Sequence, residues 1–407
     1  MARSLSLAAY LAIARRQPAC LEKITTQRPD GELIWLHCAD PKRARTLAQL
    51  GLRLTVHRPE VQILLTTSPG QRPLQDLPEN VLWQECPSEN PDDIRVFLNH
   101  WRPDLLIWLG QWLRPALIDA AHQRAIASLL LEASTPGLEN KNWRWIPEPT
   151  QATLHRFSNV LTIDKASADR FRKSLPDNST LICESGPLME ESPALPCNET
   201  DLEELRAALA GRPVWLAARV QPREVHTALA AFRKVLRLAH RMLLIIVPDS
   251  SEDAAEIKQA VTESGLRFAE WENGTFPENS THILLAERPD ELGLWYRVAP
   301  VSLIGSSLVP GFGGRDPLEP AALGSAVLYG PGVRQHLDAY TRLAQEGGAR
   351  IVKDADNLAA ALTQLIAPDQ VAAMAHAGWQ VISAGAEVSD DIIARAQQML
   401  ESQGRYL

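Results

Sequence analysis

The sequence predicts an α/β protein with two doubly wound parallel sheets in tandem, and three observations lead to this prediction. Short apolar runs alternate with amphipathic segments of helical period from residue 32 onwards, which is typical of parallel strands joined by crossover helices. The 407 residues are too many for one ordinary core and indicate two domains. A proline-rich, polar segment at 187–200 divides the alternating series and is the best candidate for a linker.

Composition and charge narrow the class of protein. A hydrophobic content of 45% with 22% charged residues is that of a folded, soluble protein. The net charge of -8 argues against a nucleic-acid-binding protein, since such proteins are usually basic. The five cysteines include no C-x-x-C pair, and the ten histidines form no metal-binding pattern. We therefore expect a reducing compartment, no disulfide framework, no metal and no cofactor.

The chain opens with an apolar stretch, 4–16, that ends in two arginines. It is too short to span a bilayer, which needs about 20 apolar residues, and it lacks the cleavage pattern of a signal peptide. A helix packed on the rest of the protein is the favoured interpretation, and a short helix on a membrane surface is the alternative. Residues 1–30 are assigned to this helix and the loop after it.

The alternating series forms two predicted domains, 31–190 and 191–385, followed by a C-terminal helical segment, 386–407. Predicted strands of the first domain are 33–37, 61–66, 80–83, 105–109, 127–131, 159–163 and 180–183, with helices at 41–52, 91–101, 115–124 and 165–174. Predicted strands of the second are 214–218, 243–247, 282–286, 301–304 and 326–329. Its helices are 201–210, 226–238, 253–264, 290–298, 317–323 and 358–366, and a last helix covers 388–406.

Residues 301–319 predict a ligand site in the second domain. The strand 301–304 is followed by a glycine-rich loop, in which the backbone can approach a ligand closely. Asp316 and Pro317 are predicted to be the N-cap and first residue of the next helix. Together these elements favour an anion site, because free N–H groups and the helix dipole point at one spot. The alternative is purely structural: Glu319 closes a capping box with Asp316.

Several segments match a known enzyme family. The most specific is G-G-R-D-P-L-E-P-A-A-L-G at 313–324. The others are 211–218, 243–248, 291–293, 305–310, 329–331 and 347–348 in the second half, and 33–37, 64–70 and 101–108 in the first. On these segments the chain resembles the Kdo (3-deoxy-D-manno-octulosonic acid) transferases, which add Kdo to a lipid A precursor during lipopolysaccharide assembly.

The resemblance implies the GT-B glycosyltransferase architecture, in which two Rossmann-like domains face a central cleft. It implies an acceptor domain at 31–190 and a CMP-sugar donor domain at 191–385, with CMP-Kdo as the donor and a lipid A-type molecule as the acceptor. The expected location is the cytoplasmic face of the bacterial inner membrane, in peripheral contact with an anionic surface. The basic residues at 42, 43, 45, 53 and 58 are candidates for that contact, and a solvated helix face is the alternative.

Four donor-binding positions match those of the family: Gly313, Gly314, Glu319 and Glu291. The resemblance implies that Glu319 contacts the donor ribose. The other donor-side positions have changed, and Arg315 with Asp316 replaces a His-Asn or Gln-Asn pair of the family.

Charges have also changed elsewhere on the donor side. Arg219 opens the segment R-V-Q-P-R-E-V, where the family has S-T-H-x-G-E-E. Asp249 replaces an arginine that contacts the donor in the family, and this inversion of charge is expected to repel CMP. Arg219 and Arg315 are expected to restore part of the positive charge.

The position of the family's catalytic base is occupied by Arg43. An arginine stays protonated and cannot accept the proton of an acceptor hydroxyl. The family's E-S-E segment becomes G-Q-W at 110–112, so two further carboxylates are missing. Asp40 is the candidate substitute base. Its stronger interpretation is a helix N-cap before Pro41.

Two functions from different classes therefore remain open. The first is a membrane-associated Kdo transferase, which needs a carboxylate from Asp40, Glu132 or Glu184 near the donor. The second is a catalytically inactive GT-B paralogue that binds a nucleotide, a glycan or a protein partner. Family resemblance favours the first, and the chemistry of the exchanged residues favours the second.

Overall fold

The chain folds into two compact units. Its computed structural model describes residues 5–21, 24–73, 77–78, 80–134, 149–175, 180–192, 194–271 and 276–404. The first unit comprises Met1–Glu190 with Gly385–Leu407, and the second comprises Glu191–Ala384. The last stretch, which the sequence assigned to a segment of its own, thus belongs with the first unit.

The first unit is built on one parallel sheet. Its strands are β1 (Leu33–Cys38), β2 (Gln62–Thr67), β3 (Val81–Glu85), β4 (Leu105–Leu109), β5 (Ala127–Ala133), β6 (Asn159–Thr162) and β7 (Leu181–Glu184). Its helices are α1 (Leu5–Ala14), α2 (Ala44–His57), α3 (Pro91–Trp101), α4 (Pro115–Gln123), α5 (Pro149–Leu154) and α6 (Lys165–Ser174). The strand order in the described residues is β3-β2-β1-β4-β5-β6-β7, so the direction of winding reverses between β1 and β4.

The second unit repeats this plan. Its strands are β8 (Val214–Val220), β9 (Leu243–Pro248), β10 (Phe268–Glu270), β11 (Ile283–Leu285), β12 (Val301–Ile304), β13 (Ala326–Tyr329) and β14 (Ala349–Ile351). Its helices are α7 (Glu199–Leu209), α8 (Pro222–Leu236), α9 (Ala254–Glu263), α10 (Leu292–Val298), α11 (Leu318–Ala322), α12 (Leu337–Gln345) and α13 (Ala355–Gln364), and α14 (Pro368–Gly404) contributes to both units. The described strands run β10-β11-β9-β8-β12-β13-β14, and winding reverses between β8 and β12.

Both sheets are covered on their two faces, which is why their strands are continuous apolar runs. No residue of β1, β4, β9 or β12 is exposed. On one face of the first sheet Trp35 and Trp108 pack into a core with α3 and α4. On the other face Ile34 and Ile107 pack with α2 and with the end of α14. The predicted fold class of two doubly wound, Rossmann-like parallel sheets is confirmed.

Most predicted elements are confirmed, and the errors have physical causes. The predicted strands are present with ends moved by one or two residues. The strands β10 and β14 were missed because they are three-residue edge strands that each include a charged side chain. Helix α12 was also missed. The helix predicted from residue 388 begins at Pro368 and continues to Gly404, and the helix predicted from 226 begins at Pro222.

The N-terminal helix α1 packs inside the first unit. Leu7, Tyr10 and Ala14 are buried, and the Tyr10 hydroxyl donates a hydrogen bond to the Glu89 carboxylate at 2.6 Å. Burial of this phenol, followed by the charge of Glu89, raises the pKa of Tyr10. The favoured interpretation of this stretch, a packed helix, is confirmed.

Membrane-spanning helices and metal clusters were searched for in the described residues. No single helix there is long and apolar enough to cross a membrane, whereas one bent pair, Ala355–Gln364 with Pro368–Ser402, meets the length and composition criteria together across a bend of 102°. No group of three or more His, Cys, Asp or Glu side chains in the described ranges could hold a metal ion.

His37 is a buried titratable group in the core of the first unit. Its Nδ1 lies 2.9 Å from Thr66 Oγ1, and its ring packs against Trp108 at a tilt of 39°, with 3.9 Å between centroids. Burial, followed by the positive charge of Arg114, lowers the pKa of His37 to about 3 from the ordinary 6.5. The folded protein therefore holds a neutral imidazole throughout the physiological range.

This buried imidazole predicts a pH-dependent stability. Between pH 6.5 and 3 the unfolded chain binds a proton at His37 that the folded chain does not. The free energy of unfolding should therefore fall with falling pH in this window, by up to about 1.4 kcal/mol per pH unit. We expect His37→Gln to remove this contribution, as measured by urea unfolding at several pH values. Equal pH slopes for the two proteins would contradict the assignment.

Candidate functional site

The sequence-predicted site residues follow the strands at the two switch points. In the second unit β8 and β12 pair directly, and Arg219 and the loop 305–317 lie at their carboxyl ends. In the first unit β1 and β4 pair directly, followed by Asp40 and Arg43 on one side and by residues 110–112 on the other. Ligands bind at such points in doubly wound sheets. Each unit therefore has its own candidate site.

The loop after β12 is organised by the carboxylate of Glu224, which is fully buried at the start of α8. At distances of 2.6 to 3.4 Å it accepts hydrogen bonds from the backbone N–H groups of Gln221, Ser306, Ser307, Leu308 and Val309. Ser306 has a left-handed backbone, with φ of 55°. The N–H groups at the start of this loop, at 306–309, are thus bonded by a side chain of the protein itself.

Free N–H groups are found further along, in the glycine loop (residues 311–314). Gly311, Gly313 and Gly314 have φ of 108°, 81° and 79°, which only glycine adopts readily. The Gly314 N–H bonds the Ser306 carbonyl at 2.9 Å, but among the described residues no hydrogen bond reaches the N–H groups of Gly311, Phe312 or Gly313. The glycine loop therefore offers three unpaired donors in a backbone conformation that anions can approach.

Two side chains lie at this loop, one within it and one packed against it. The side chain of Phe312 is 41% exposed. The side chain of Gln335 lies against Gly313, where a Cβ atom would come within 2.8 Å of Gln335 Cγ. An amide side chain therefore reaches the glycine loop.

Next to the glycine loop lies a cluster of three charged side chains, Arg219, Asp249 and Arg315. Arg315 donates to both carboxylate oxygens of Asp249, with Nε 2.6 Å from Oδ1, and Arg219 Nη1 lies 3.9 Å from the same oxygen. Gln221 Nε2 donates to Asp249 Oδ2 at 3.0 Å. Hydrogen bonding to Asp249 raises the pKa of Arg315. Asp249 is nearly buried, whereas both guanidinium groups are about one-third exposed.

Arg219 also has unusual backbone geometry. Its φ is 52°, and a bulge interrupts the pairing of β8 with β9 between Ala217 and Val220. Its carbonyl would lie 2.4 Å from a Cβ atom on Gly305, so the two strands meet here at a distance that only glycine permits.

The start of α11 corrects one prediction. The helix begins at Leu318 rather than at Pro317 and is only five residues long. The Asp316 carboxylate accepts the Leu318 N–H at 2.8 Å and a short hydrogen bond from Ser192 Oγ. The N-terminus of this helix is therefore already capped by a negative side chain and is not the free anion site that the sequence predicted.

Glu319 and Glu291, two further predicted donor-binding residues, interact with residues of their own unit. Glu319 is half-buried in α11, and its charge contributes, after burial, to raising the pKa of Tyr296. The Tyr296 hydroxyl is buried without a hydrogen-bond partner among the described residues. Glu291 precedes α10 and pairs with the neighbouring Arg288.

In the first unit Arg43 pairs with Glu132 from the carboxyl end of β5. Arg43 Nη2 and Nη1 lie 2.8 and 3.3 Å from Glu132 Oε1 and Oε2, and Nη2 also donates to the Leu188 carbonyl at 2.7 Å. The Leu188 N–H donates to Glu132 Oε1 at 2.9 Å. Three described segments, the start of α2, the end of β5 and the chain after β7, are thereby joined at one point.

Asp40 acts as the N-cap of a short 3₁₀ helix before α2. Its carboxylate accepts the Lys42 N–H at 3.0 Å, and the side chain is exposed. At the end of β4, Gln111 donates a short hydrogen bond to Ser134, and the Trp112 side chain is 69% exposed. The N-cap interpretation of Asp40 is confirmed.

Comparison with known proteins shows which proteins this chain is similar to. A family profile described as 3-deoxy-D-manno-octulosonic-acid transferase (kdotransferase) matches residues 14–184. A 3-deoxy-D-manno-octulosonic acid transferase of Rickettsia bellii is 24% identical over 83% of this chain and 80% of its own. The corresponding Haemophilus influenzae protein is 23% identical over 87% and 84%. A probable mitochondrial one of Arabidopsis thaliana is 28% identical over 74% and 70%.

Over most of its length the chain is therefore similar to Kdo transferases, at 23–28% identity. Among solved structures, it is similar to the C-terminal CMP-Kdo binding domain of WaaA from Acinetobacter baumannii, with 26% identity over 45% of this chain and all of that domain and a TM-score of 0.40. It is also similar to MurG of the same organism, with 13% identity over 90% of this chain and all of that chain and a TM-score of 0.47.

The sequence did not predict the roles of two glutamates. Glu224 was read only as part of a changed segment, although a glutamate three residues after Gln221 and just after Pro222 is a capping-box signature. Glu132 was one of three candidate carboxylates, and nothing in the sequence marked its contact with Arg43. Its position at the end of a leucine-rich strand was the available signal.

The Glu224 carboxylate generates a stability prediction. Glu224→Gln places an NH₂ group against a row of N–H donors and leaves some of them unpaired. We expect a loss of about 2–4 kcal/mol in the free energy of unfolding, measured with urea. Glu203→Gln, on the exposed face of α7, is the matched control and should change little. An equal, small effect of both substitutions would show that Glu224 does not organise the loop.

Proposed function

We propose that the protein transfers Kdo from CMP-Kdo to a lipid A-type acceptor, in peripheral contact with the cytoplasmic face of the bacterial inner membrane. The relatives are named as Kdo transferases over most of the chain, which supports the sugar and the reaction class. The proposed mechanism is direct displacement: the acceptor oxygen attacks the anomeric carbon of Kdo, and CMP leaves.

The glycine loop is the observation that carries this proposal. It presents unpaired N–H groups at the switch point of the second unit, beside two partly exposed guanidinium groups. Backbone donors and arginines are the groups that bind phosphate. We assign the donor phosphate to the N–H groups of Gly311 and Gly313 and to Arg315 and Arg219, and the ribose to Glu319.

Asp249 is compatible with donor binding because its charge is compensated. The carboxylate uses Nε and Nη2 of Arg315, which leaves Arg315 Nη1 for a ligand. With one aspartate and two arginines, the cluster keeps a net positive charge. The repulsion of CMP expected from the aspartate alone is thus offset by its two neighbours.

The acceptor and the membrane contact are assigned to the first unit. Of the five basic residues that the sequence suggested, three form ion pairs: Arg43 with Glu132, Arg53 with Asp390 and Arg58 with Glu32. Lys42 and Arg45 remain without an ion pair among the described residues and are the candidates for anionic lipid headgroups. Trp112 adds an exposed apolar surface at the end of β4.

A specific observation favours a second candidate function. The base position holds Arg43, and the bidentate contact with Glu132 occupies the carboxylate nearest to it. A catalytically inactive paralogue that still binds a nucleotide, a glycan or a partner protein would have this arrangement. Under that function the glycine loop binds CMP, and no sugar is transferred.

Measurements of donor binding and of turnover distinguish the transferase from the inactive paralogue. We expect acceptor-dependent release of CMP from CMP-Kdo when a lipid A precursor is supplied. We also expect Arg315→Gln to weaken CMP binding about tenfold or more, measured by calorimetry, because a charge-assisted hydrogen bond is lost.

The control for this experiment is Arg237→Gln, an exposed arginine at the end of α8, which should leave CMP affinity unchanged. CMP binding without release in the presence of the acceptor would reject the transferase and support the inactive paralogue. Absence of both binding and release would reject the assignment of the glycine loop as a nucleotide site.

A further inference from the structure

A cavity of about 360 Å³ lies in the first unit, between the C-terminal ends of α3 and α4. Its lining residues are Leu98, Asn99, Arg102, Pro103, Arg124 and Ile126. Pro103 and Ile126 precede β4 and β5, so the cavity lies at the amino ends of these parallel strands. The candidate site residues of this unit follow the carboxyl ends of the strands. The cavity is therefore separate from that site.

The cavity has an apolar floor and a polar rim. Leu98, Pro103 and Ile126 are buried, whereas Asn99, Arg102 and Arg124 are exposed. Sites for small molecules combine apolar surface with a few polar groups in this way, and their volumes run from roughly 300 to 1,000 Å³. The cavity is thus large enough for a small organic ligand.

The two arginines of the rim form no ion pair within the described ranges. Arg124 Nη1 and Nη2 donate to the Ala120 carbonyl and to Asn99 Oδ1, both at 3.3 Å, and both acceptors are uncharged. No described residue accepts a hydrogen bond from the side chain of Arg102. Most of the donors of these two guanidinium groups are therefore available to a ligand.

Acidic residues of the adjoining segments have other partners. Asp104 accepts the Leu33 N–H at 2.7 Å and lies 3.9 Å from Arg28. Asp119, in α4, pairs with Arg156 at 2.9 Å. Neither carboxylate lines the cavity. The positive charge of the rim is thus not neutralised by these neighbours.

Arginines at helix C-termini also stabilise the helix dipole, which is the structural alternative. Carbonyl groups in the last turns already accept hydrogen bonds from other donors, namely those of Leu98 and Trp101 in α3 and of Ala121 and His122 in α4. The side chain of Arg102 bonds none of them. The helix ends therefore do not explain why an arginine stands at this position.

The backbone of Arg102 strengthens this point. Its φ is 41°, a left-handed conformation at the C-cap of α3. Glycine is the usual residue where a helix ends in this conformation, because any Cβ atom is strained there. Non-glycine residues held in such a conformation cluster at functional sites.

We propose that this cavity binds a phosphomonoester. The guanidinium groups of Arg102 and Arg124 bind the phosphate, since a planar fork of N–H donors matches its oxygens and a phosphate carries close to two negative charges. Asn99 and the apolar floor contact the organic part of the ester. Two sources supply this chemistry: a water-soluble phosphate ester and the headgroup of a lipid phosphate.

The test uses one probe for each source and the full chain. Glycerol 3-phosphate is titrated by calorimetry, with glycerol as the uncharged control. Vesicles of phosphatidylcholine with phosphatidic acid are tested by co-sedimentation, with pure phosphatidylcholine vesicles as the control. We expect at least one phosphate probe to bind, and Arg102→Gly and Arg124→Gln each to weaken its binding about tenfold or more, because charge-assisted hydrogen bonds are lost.

Arg102→Gly separates binding from folding. Glycine suits the left-handed backbone of this position, so this variant should not lower the free energy of unfolding in urea. Arg95→Gln is the matched control: Arg95 lies on α3, is exposed, pairs with Asp92 and does not line the cavity. It removes the same charge and should leave binding unchanged.

Arg315→Gln is a second control, because the glycine loop of the second unit is also proposed to bind phosphate. It should not alter binding of either probe. Binding of glycerol 3-phosphate that only the two rim variants lose would support a water-soluble ester. The same pattern with vesicles alone would support a lipid phosphate.

Three results would overturn the proposal. The first is that neither probe binds the natural chain. The second is that Arg102→Gly and Arg124→Gln bind as tightly as the natural chain. The third is that Arg95→Gln or Arg315→Gln weakens binding as much as the rim variants, since the probe would then be held by general charge or by the second unit.

Discussion

The hydrogen bonds between the buried carboxylate of Glu224 and the backbone N–H groups after β12 stabilise both partners. The candidate site of the second unit is built on these bonds. A buried carboxylate is costly unless it is hydrogen-bonded, and the N–H groups of 306–309 have no strand or helix with which to pair. Their mutual contacts fix the path of the chain out of the sheet. The glycine loop is tied to this anchor through the bond from the Gly314 N–H to the Ser306 carbonyl. The free donors of the loop are therefore held on a rigid base.

The charged side chains at both candidate sites form ion pairs with neighbouring residues. In the second unit, Asp249 is matched by Arg315 and Arg219. In the first unit, Arg43 is matched by Glu132. Both Arg219 and Glu132 lie in bulges with left-handed backbones at the carboxyl ends of their strands. The charged side chains of both candidate sites are thus paired locally, at the carboxyl ends of parallel strands.

The pattern of apolar runs was enough to predict the fold, because strands buried on both faces need continuous hydrophobic sequence. It failed where that constraint is absent, at the edge strands β10 and β14 and at the early start of α14. The candidate site was only partly predictable. The glycines at 311–314 indicate a loop whatever the tertiary structure, whereas the contact of Arg43 with Glu132 joins residues 89 positions apart. The positive φ of Glu132 could not be predicted from the sequence, because the surrounding structure imposes this backbone conformation.

The first unit is assembled from two distant parts of the chain. The stretch that begins at Gly385 supplies Ile392, Ile393, Ala396, Met399 and Leu400 to its core. On the ribosome, all of Glu191–Ala384 is synthesised before these residues are. Domains usually fold in the order in which they are made. Here the unit that is translated first completes its core last, because part of one face of its sheet is covered only after the second unit has been synthesised.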